Sequence, residues 1–353
     1  MATTGAPLFE DQLVVPVPLT WHGPRSMPGD IIELSDERLM LAYDRQEYWT
    51  DGKPSGLYAR ISDDRGASWG EEFAVLLDPP GGRIRYAHPT FLRLPDGDLL
   101  MCYICDTNVD PGYGHSYYRR SSDDGATWGE QYILTPFNER TLVHNGKLVL
   151  LSDGRVIAPA EFSPGAERGS HSSYVATAFY SDENGYDWRM SRNVVRAHYE
   201  VQEPHVVELR DGRLMMMLRT YSGFCGRAWS EDRGETWSEP EAMTELPMTV
   251  RTSAITVDRI PSTGDLLVLR CRGWGEDERG RTPFVSAIST DEGATWGHER
   301  IIAGEKDNDY GYQSVDFVDD LAVISYHHRD GLHVARIAIE WFHQPDTDAA
   351  GAE

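Results

Sequence analysis

The chain has 353 residues, 57 acidic against 33 basic side chains, and a formal net charge of −24. This charge excludes the basic stripe of a nucleic-acid-binding surface and disfavours an anionic membrane partner. We find no apolar run of membrane-spanning length and no basic region leading into an apolar core near the N-terminus. We therefore expect a cytoplasmic protein, or a secreted one if the sequence is a trimmed piece. Cys102-x-x-Cys105 lies in an apolar strand-like run, and we interpret it as core rather than as a redox pair.

A two-strand pattern recurs along the chain. It reads as an apolar strand, a short turn carrying Asp-Gly or an equivalent, and a second apolar strand. The copies occupy residues 31–44, 90–106, 147–161, 205–219, 255–270 and, in shortened form, 314–327. Six such pairs indicate six repeated β units.

A second motif, Ser-x-Asp-x-Gly-x-x-Trp, follows most of these pairs. Its Ser and Asp suit a tight turn, its Gly a positive φ, and its Trp packing of the hairpin. The full copies end at Trp69, Trp128, Trp237 and Trp296, and a degenerate copy ending at Trp188 has Glu183 in place of Asp. Successive copies lie about 50–60 residues apart, which is typical of propeller blades.

These repeats predict an all-β fold, a six-bladed β-propeller forming one domain over residues 1–343. The last blade lacks the motif, and we expect residues 333–342 as its third strand and the early segment 12–18 as its fourth. Such a closure removes an exposed sheet edge. The polar tail, 344–353, is expected to be disordered.

Aligning the repeats predicts which residues meet at the mouth of the central channel. The inner strands place there Pro28, His88, Asn145, Glu203, Thr252 and Tyr312. The following strands run back to the same end and place there Asp44, Ile104, Glu161, Arg219, Cys271 and His327. Most are polar or ionisable, which indicates a ligand site.

The motif and the blade number resemble the Asp-box repeats of the sialidases (neuraminidases) and their bacterial-neuraminidase-repeat relatives. The resemblance covers nearly the whole chain. It implies a glycosidase in which three arginines clamp a sugar carboxylate, a tyrosine is the nucleophile, a glutamate activates it, and an aspartic acid protonates the leaving group. Asp boxes lie away from the active site, so they indicate architecture and not activity.

Four residues match this implied site in the right order. Glu203 and Arg219 resemble the glutamate and the second clamp arginine, Arg281 the third arginine, and Tyr312 the nucleophile. Taken singly, Arg219 also suits a salt-bridged strand end, and Tyr312 a core aromatic.

The first blade departs from the family's Arg-Ile-Pro. Arg25 in Arg-Ser-Met-Pro is the candidate first clamp, with a solvated loop arginine as the alternative. The acid/base is predicted to be Asp51, on a loop rich in aromatic residues, or Asp44 at a strand end. Asp51 also suits an ordinary turn before Gly52.

His88, Arg85, Asn145 and Glu161 are candidate substrate-binding residues near the second and third blades. Histidines here also favour a rival: a uronate polysaccharide lyase with His or Tyr as base and acid. A non-catalytic carbohydrate-binding propeller is a third possibility. The expected partner is a glycan or a small acidic sugar. No cofactor is expected, and because no His pair has metal-ligand spacing within one element, no catalytic metal is expected.

Overall fold

The structure is a computed structural model, and it describes residues 6–17, 27–46, 51–107, 114–136, 139–164, 174–248, 253–273, 280–306 and 308–345. Within these residues it is all-β, as the repeats predicted, with 25 strands and one short helix. The strands form four sheets of four strands and one sheet of nine. No described helix is long and apolar enough to cross a membrane. The expected disorder of the tail from residue 346 onward lies outside the described residues.

We group the strands into six units that follow the sequence repeats. Unit 1 contains β2 (Gly29–Glu33), β3 (Leu39–Arg45), β4 (Gly56–Ser62) and β5 (Phe73–Leu77). Unit 2 contains β6 (Ile84–Arg93), β7 (Leu99–Thr107), β8 (Gly114–Ser121) and β9 (Tyr132–Ile133). Unit 3 contains β10 (Thr141–Leu142), β11 (Val149–Leu150), β12 (Val156–Phe162), β13 (Val175–Ser181) and β14 (Arg189–Met190). A parallel bridge between Thr141 and His115 joins units 2 and 3 into the nine-stranded sheet.

The remaining units are regular antiparallel sheets. Unit 4 contains β15 (Val201–Glu208), β16 (Leu214–Thr220), β17 (Phe224–Ser230) and β18 (Glu241–Pro247). Unit 5 contains β19 (Thr256–Arg259), β20 (Leu266–Cys271), β21 (Phe284–Ser289) and β22 (Gly297–Ala303). Unit 6 contains β23 (Gly311–Val318), β24 (Leu321–His328), β25 (Gly331–Ala338) and, from the N-terminus, β1 (Phe9–Pro16). β1 pairs antiparallel with β25, so the first described strand completes the last sheet.

The four full motif turns share one hydrogen-bond pattern. In the first, the Ser62 hydroxyl donates to Asp64 (2.8 Å) and accepts from the Gly66 amide (2.8 Å), and Asp64 accepts from the Ser68 amide (2.8 Å). The other three full copies repeat these bonds within 0.1 Å. In the degenerate copy the Ser181 hydroxyl still accepts from Gly185, at 3.1 Å. Asp187 takes a positive φ there, at the place of the bonded Ser or Thr.

Among the described residues, the core consists of six apolar layers, each shared by two units. One layer joins units 6 and 1, and the others join each later pair in turn. The motif Trp of units 1 to 5 packs into the layer shared with the preceding unit, rather than against its own unit alone. Burial of these layers is the main stabilising contribution.

Unit 6 has no motif, and a short helix takes the place of its Trp. The sequence predicted a strand through residue 342, but β25 ends at Ala338 and α1 (Ile339–Phe342) follows. Ile339, Trp341 and Phe342 pack into the layer between units 5 and 6. The strand prediction for residues 339–342 was therefore wrong. A continued strand would direct only every second side chain towards this layer, whereas the turn into α1 places both Trp341 and Phe342 in it.

Candidate active site

Three inner strands carry the same irregularity at the same place. Their pairing with the next strand shifts around His88 in β6, Glu203 in β15 and Tyr312 in β23. All three residues have left-handed backbone, with φ of 53°, 43° and 50°. Such bulges re-aim side chains, and a non-glycine residue in this conformation costs about 1–3 kcal/mol. The sequence prediction had placed these three residues at equivalent positions.

Glu203 forms the centre of a buried ion-pair network. Its Oε1 accepts from Arg219 Nη1 at 2.6 Å, and its backbone amide donates to Glu161 Oε2 at 2.7 Å. Glu161 Oε1 in turn lies 3.1 Å from His144 Nε2. All four residues are less than 10% exposed. Glu203 Oε2 and His144 Nδ1 have no hydrogen-bond partner among the described residues, which leaves one oxygen and one nitrogen for a ligand or a proton.

Tyr312 lies against two imidazole rings. Its ring centroid is 5.3 Å from that of His88, edge to face, and 6.5 Å from that of His144. Asn145 ties this group to unit 1, because its Nδ2 donates to the carbonyls of Tyr312 (2.8 Å) and Gly29 (2.9 Å). Asn145 Oδ1 lies 3.4 Å from His88 Nδ1. Side chains of units 2 and 3 thus surround a residue of unit 6.

Arg281 lies beside the same tyrosine. Its guanidinium carbon is 5.7 Å from the centre of the Tyr312 ring, and its backbone amide donates to Asp309 Oδ1 at 3.1 Å. The side chain is buried, and its Nε and Nη1 have no hydrogen-bond partner within the described part of the chain. Arg219, by contrast, is engaged with Glu203. The two arginines therefore differ in how much donor capacity they leave for a ligand.

Burial and charge act against each other on the ionisable groups here. Burial would raise the pKa of Glu203, but the positive charges led by Arg219 outweigh it and lower that pKa. Burial and then the charge of Glu203 raise the pKa of Tyr312. Burial, with the neighbouring His144, holds the pKa of His88 well below its usual value. At neutral pH the site thus contains a carboxylate, a neutral phenol and a neutral imidazole.

A second polar network runs along units 1 to 3, from Asp44 to Arg140. Asp44 accepts from Gln46 Nε2 (2.6 Å), and Gln46 Oε1 accepts from Arg85 Nη1 (3.1 Å). Arg85 and Arg140 both face Asp106, at 3.7 and 3.2 Å. Asp44 is 3% exposed, and burial raises its pKa to about 6. Arg85 also lowers the pKa of His88 by its charge, so this network adjoins the cluster around Tyr312.

The two aspartates considered from the sequence have opposite surroundings. Asp51 is exposed and forms a salt bridge with Arg45, and this contact lowers the pKa of Asp51. Asp44 is buried, and its Oδ1 has no hydrogen-bond partner in the part of the chain that the structure describes. A general acid needs a pKa that is not far below the pH at which it works, and the raised pKa of Asp44 suits this role better than the lowered pKa of Asp51. The predicted first clamp, Arg25, and the aligned Thr252 lie outside the described residues.

The sequence reasoning did not select Tyr174, Arg140 or Lys147. Burial and the charge of Glu161 raise the pKa of Tyr174 to about 12. Lys147 is fully buried behind the site, where burial lowers its pKa to about 7. Tyr174 and Arg140 lie outside the two strand ends that the repeat aligned, so that alignment had no means of finding them. Lys147 directly follows the aligned Asn145 and Gly146, and a lysine at the start of an apolar run is a usable signal.

Comparison with known proteins agrees with this architecture. A family model described as a BNR repeat-like domain matches residues 29–322. A sialidase of Bacteroides fragilis is 29% identical over 57% of this chain and 37% of its own length. A sialidase of Micromonospora viridifaciens is 23% identical over 83% of this chain and 48% of its own length. The chain thus spans less than half the length of these two curated relatives.

Solved structures agree with the fold. A structure described as the Hadza microbial sialidase Hz136 superposes with a TM-score of 0.72 at 18% identity, over 88% of this chain and 65% of that one. At this identity the likeness shows the fold alone. The match of the family model over most of the chain shows more: the protein belongs to the BNR-repeat family of the sialidase superfamily, which confirms the resemblance inferred from its motifs.

Proposed function

We propose that this chain is a sialidase-like exo-glycosidase that removes a terminal acidic sugar, sialic acid or a close relative, from a glycoconjugate. The observation that carries the proposal is the grouping of Glu203, Arg219, Tyr312 and Arg281. The four come from three different units and are separated by up to about a hundred residues. Arg219 nevertheless lies 2.6 Å from Glu203, the Arg281 guanidinium carbon lies 5.7 Å from the centre of the Tyr312 ring, and the charge of Glu203 acts on Tyr312. The names of the curated relatives point to the same activity.

We further propose that the six units are the blades of a six-bladed propeller with this site at the mouth of its channel. The supporting observation is the sequence of shared apolar layers, in which unit 6 packs on unit 1 as every other unit packs on the next. Hydrogen bonds across the units agree, since Asn145 of unit 3 bonds to carbonyls of units 1 and 6.

In this proposal Tyr312 attacks the anomeric carbon. A phenol suits an acidic sugar because, when neutral, it does not repel the substrate carboxylate. Glu203 Oε2, which has no hydrogen-bond partner among the described residues, accepts the phenolic proton. The pKa of Tyr312 is raised and that of Glu203 is lowered, so proton transfer is unfavourable at rest and has to be coupled to formation of the new bond.

The arginines take the substrate carboxylate. Arg281 Nε and Nη1 have no hydrogen-bond partner among the described residues, so this side chain has donors for an anionic group of the substrate. Arg219 also binds the substrate carboxylate, and its charge keeps Glu203 ionised. Arg25 completes the clamp in this proposal. Asp44, with a pKa of about 6, protonates the oxygen that leaves the anomeric carbon as the bond to Tyr312 forms. Water then replaces Tyr312 at that carbon, giving one proton back to Asp44, while the phenol regains its proton from Glu203. Arg85, His88, Asn145 and Glu161 shape the rest of the site.

A fluorogenic α-sialoside tests the proposal directly. Hydrolysis by the purified chain is expected. No release above the uncatalysed rate, under conditions where a known sialidase cleaves the same compound, would rule out this substrate.

One observation favours a second candidate, a uronate lyase. The imidazole rings of His88 and His144 lie beside the Tyr312 ring, with centroid distances of 5.3 and 6.5 Å, and such a group of acids and bases suits β-elimination next to a carboxylate. This enzyme would generate an unsaturated product, seen as rising ultraviolet absorbance with uronate polysaccharides. A protein that binds glycans but gives neither signal would be a non-catalytic carbohydrate-binding propeller.

A further inference from the structure

Unit 6 carries a group of ligand-type side chains outside the candidate active site. They are His328 at the end of β24, Asp330 in the following turn and His333 in β25. One nitrogen from each histidine and one oxygen from Asp330 all lie within 4.8 Å of one another. Asp330 Oδ1 is in contact with His328 Nδ1 and lies 2.9 Å from His333 Nε2. Both imidazoles thus direct a nitrogen at the same oxygen.

The far nitrogen of each histidine faces another carboxylate. His333 Nδ1 lies 2.9 Å from Asp11 Oδ2, and His328 Nε2 lies 3.2 Å from Glu305 Oε2. A carboxylate behind a histidine is the usual arrangement around a metal ligand, since it fixes the ring and its tautomer. Here three carboxylates, those of Asp11, Asp330 and Glu305, surround two imidazoles.

The donor set selects the kind of cation. Two imidazole nitrogens and one carboxylate oxygen suit a borderline divalent ion such as Zn²⁺, whereas Ca²⁺ and Mg²⁺ prefer all-oxygen sites. Both histidine side chains are 12% exposed and Asp330 is 48% exposed, so the ligands are held on one side and open to solvent on the other. Three protein ligands with an open position form a known class of zinc site.

We propose that His328, Asp330 and His333 bind a divalent transition-metal ion, with Zn²⁺ as the best fit, and that Asp11 and Glu305 orient the two histidines. This site does not depend on the glycosidase proposal. His328, Asp330 and His333 span only six positions, but they lie across a turn between two strands. A search for metal-ligand spacing within single elements therefore misses them.

A bound ion would connect four segments of the molecule. The ligands bridge β24 and β25, Asp11 brings in β1, and Glu305 brings in the segment that precedes β23. That segment also carries Asp309, which accepts the backbone amide of Arg281. The ion would therefore brace both the strand that completes unit 6 and the backbone of one candidate clamp arginine.

A competing arrangement is present in the same residues. Asn308 Nδ2 lies 2.6 Å from His328 Nε2, and an amide that donates there leaves the ring proton on Nδ1, facing Asp330. Metal binding at Nδ1 requires the proton to move to Nε2, where Glu305 accepts it. The experiment must therefore separate a metal site from a purely hydrogen-bonded cluster.

Zn²⁺ and Co²⁺ titrations of the chelator-treated full chain test the proposal. We expect one Zn²⁺ per chain and a rise in Tm with Zn²⁺ that a chelator reverses. His333→Gln should abolish this binding, and Asp11→Asn should weaken it about 10- to 100-fold. His198→Ala, which removes an exposed histidine elsewhere, is the matched control and should bind like the parent protein.

The unmodified chain keeps the test decisive if His333→Gln does not fold. Paramagnetic Co²⁺ should then shift the ring signals of His328 and His333 and leave those of His198 in place. Absence of stoichiometric uptake of either ion, shifts at other histidines, or unchanged affinity in a folded His333→Gln would each overturn the proposal, and the cluster would then be a hydrogen-bond network only.

Discussion

The outer motif turns and the inner strand ends are both repeated features, but they repeat in different ways. The four full motif turns have the same residues and the same hydrogen bonds, all formed within seven consecutive residues. Three inner strand ends share a bulge and a left-handed residue, but the residues are His88, Glu203 and Tyr312. Repeated geometry with repeated chemistry indicates a structural role. Repeated geometry with different chemistry indicates a site, because each copy brings another functional group to one place.

Replacing Tyr312 by Phe is expected to have the largest effect on activity of any change at the inner strand ends. The phenol oxygen is lost while the ring contacts with His88 and His144 remain. We expect kcat on a fluorogenic sialoside to fall about 1000-fold or more, with little change in Tm. Tyr310→Phe is the matched control, since that hydroxyl accepts only the Glu305 amide in the described structure. Equal losses in the two variants would contradict a nucleophilic role for Tyr312.

Arg219→Met tests whether the inner ion pair is also structural. It leaves the buried carboxylate of Glu203 without its 2.6 Å partner, and we expect the free energy of unfolding to fall by about 3–5 kcal/mol. The double variant Glu203→Gln/Arg219→Met should recover part of this loss because no buried charge is left uncompensated. Urea unfolding measures both. A single variant as stable as the parent would mean that the pair is solvated.

A comparison of the Asp44→Asn and Asp51→Asn variants tests which aspartate is the general acid. Burial raises the pKa of Asp44 to about 6, so it is protonated below that pH and loses its proton above it. We expect kcat of the parent protein to fall as pH rises through about 6, and Asp44→Asn to remove this limb and lower kcat about 100-fold. Asp51→Asn should leave both the pH-dependent fall and the magnitude of kcat unchanged. If the limb instead disappears in Asp51→Asn, the assignment to Asp44 is wrong.

The smallest effect on stability is expected from a substitution in the outer motif turns. Asp232→Ala removes the acceptor of the Thr236 amide and hydroxyl in one motif turn, and should cost about 1 kcal/mol in the free energy of unfolding. The kinetic constants on the fluorogenic substrate should not change. Glu183→Ala, in the degenerate copy, is the control and should have a smaller effect on stability. A change of kcat in Asp232→Ala would mean that the turns are coupled to the site.

Much of the fold could be predicted because its signals are local. The motif turns, the Asp-Gly hairpins and the strand pairs each depend on residues close in sequence, so their spacing predicted all-β units in the right order. α1 could not be predicted in this way. Trp341 and Phe342 continue an apolar run that suits a strand, and only the apolar layer between units 5 and 6 accounts for the turn into a helix.

The candidate site was predictable only in outline. Alignment of the repeats placed His88, Glu203 and Tyr312 at equivalent positions, because equivalent residues of a repeat occupy equivalent places. It did not select Tyr174 or Arg140, which approach from segments that the repeat does not align. The choice between Asp44 and Asp51 rested on burial, which a short acidic segment does not reveal.

The sequence alone thus determined the all-β fold, the motif turns and the family, since each depends on short-range patterns. The tertiary structure decided which ionisable groups meet, which of them are buried, and how their pKa values shift. Desolvation and charge proximity depend on residues from units far apart in the chain, as when Arg219, His144 and Arg281 together hold Glu203 ionised. The same reason applies to the metal site, where β1 at one end of the chain meets β24 and β25 near the other.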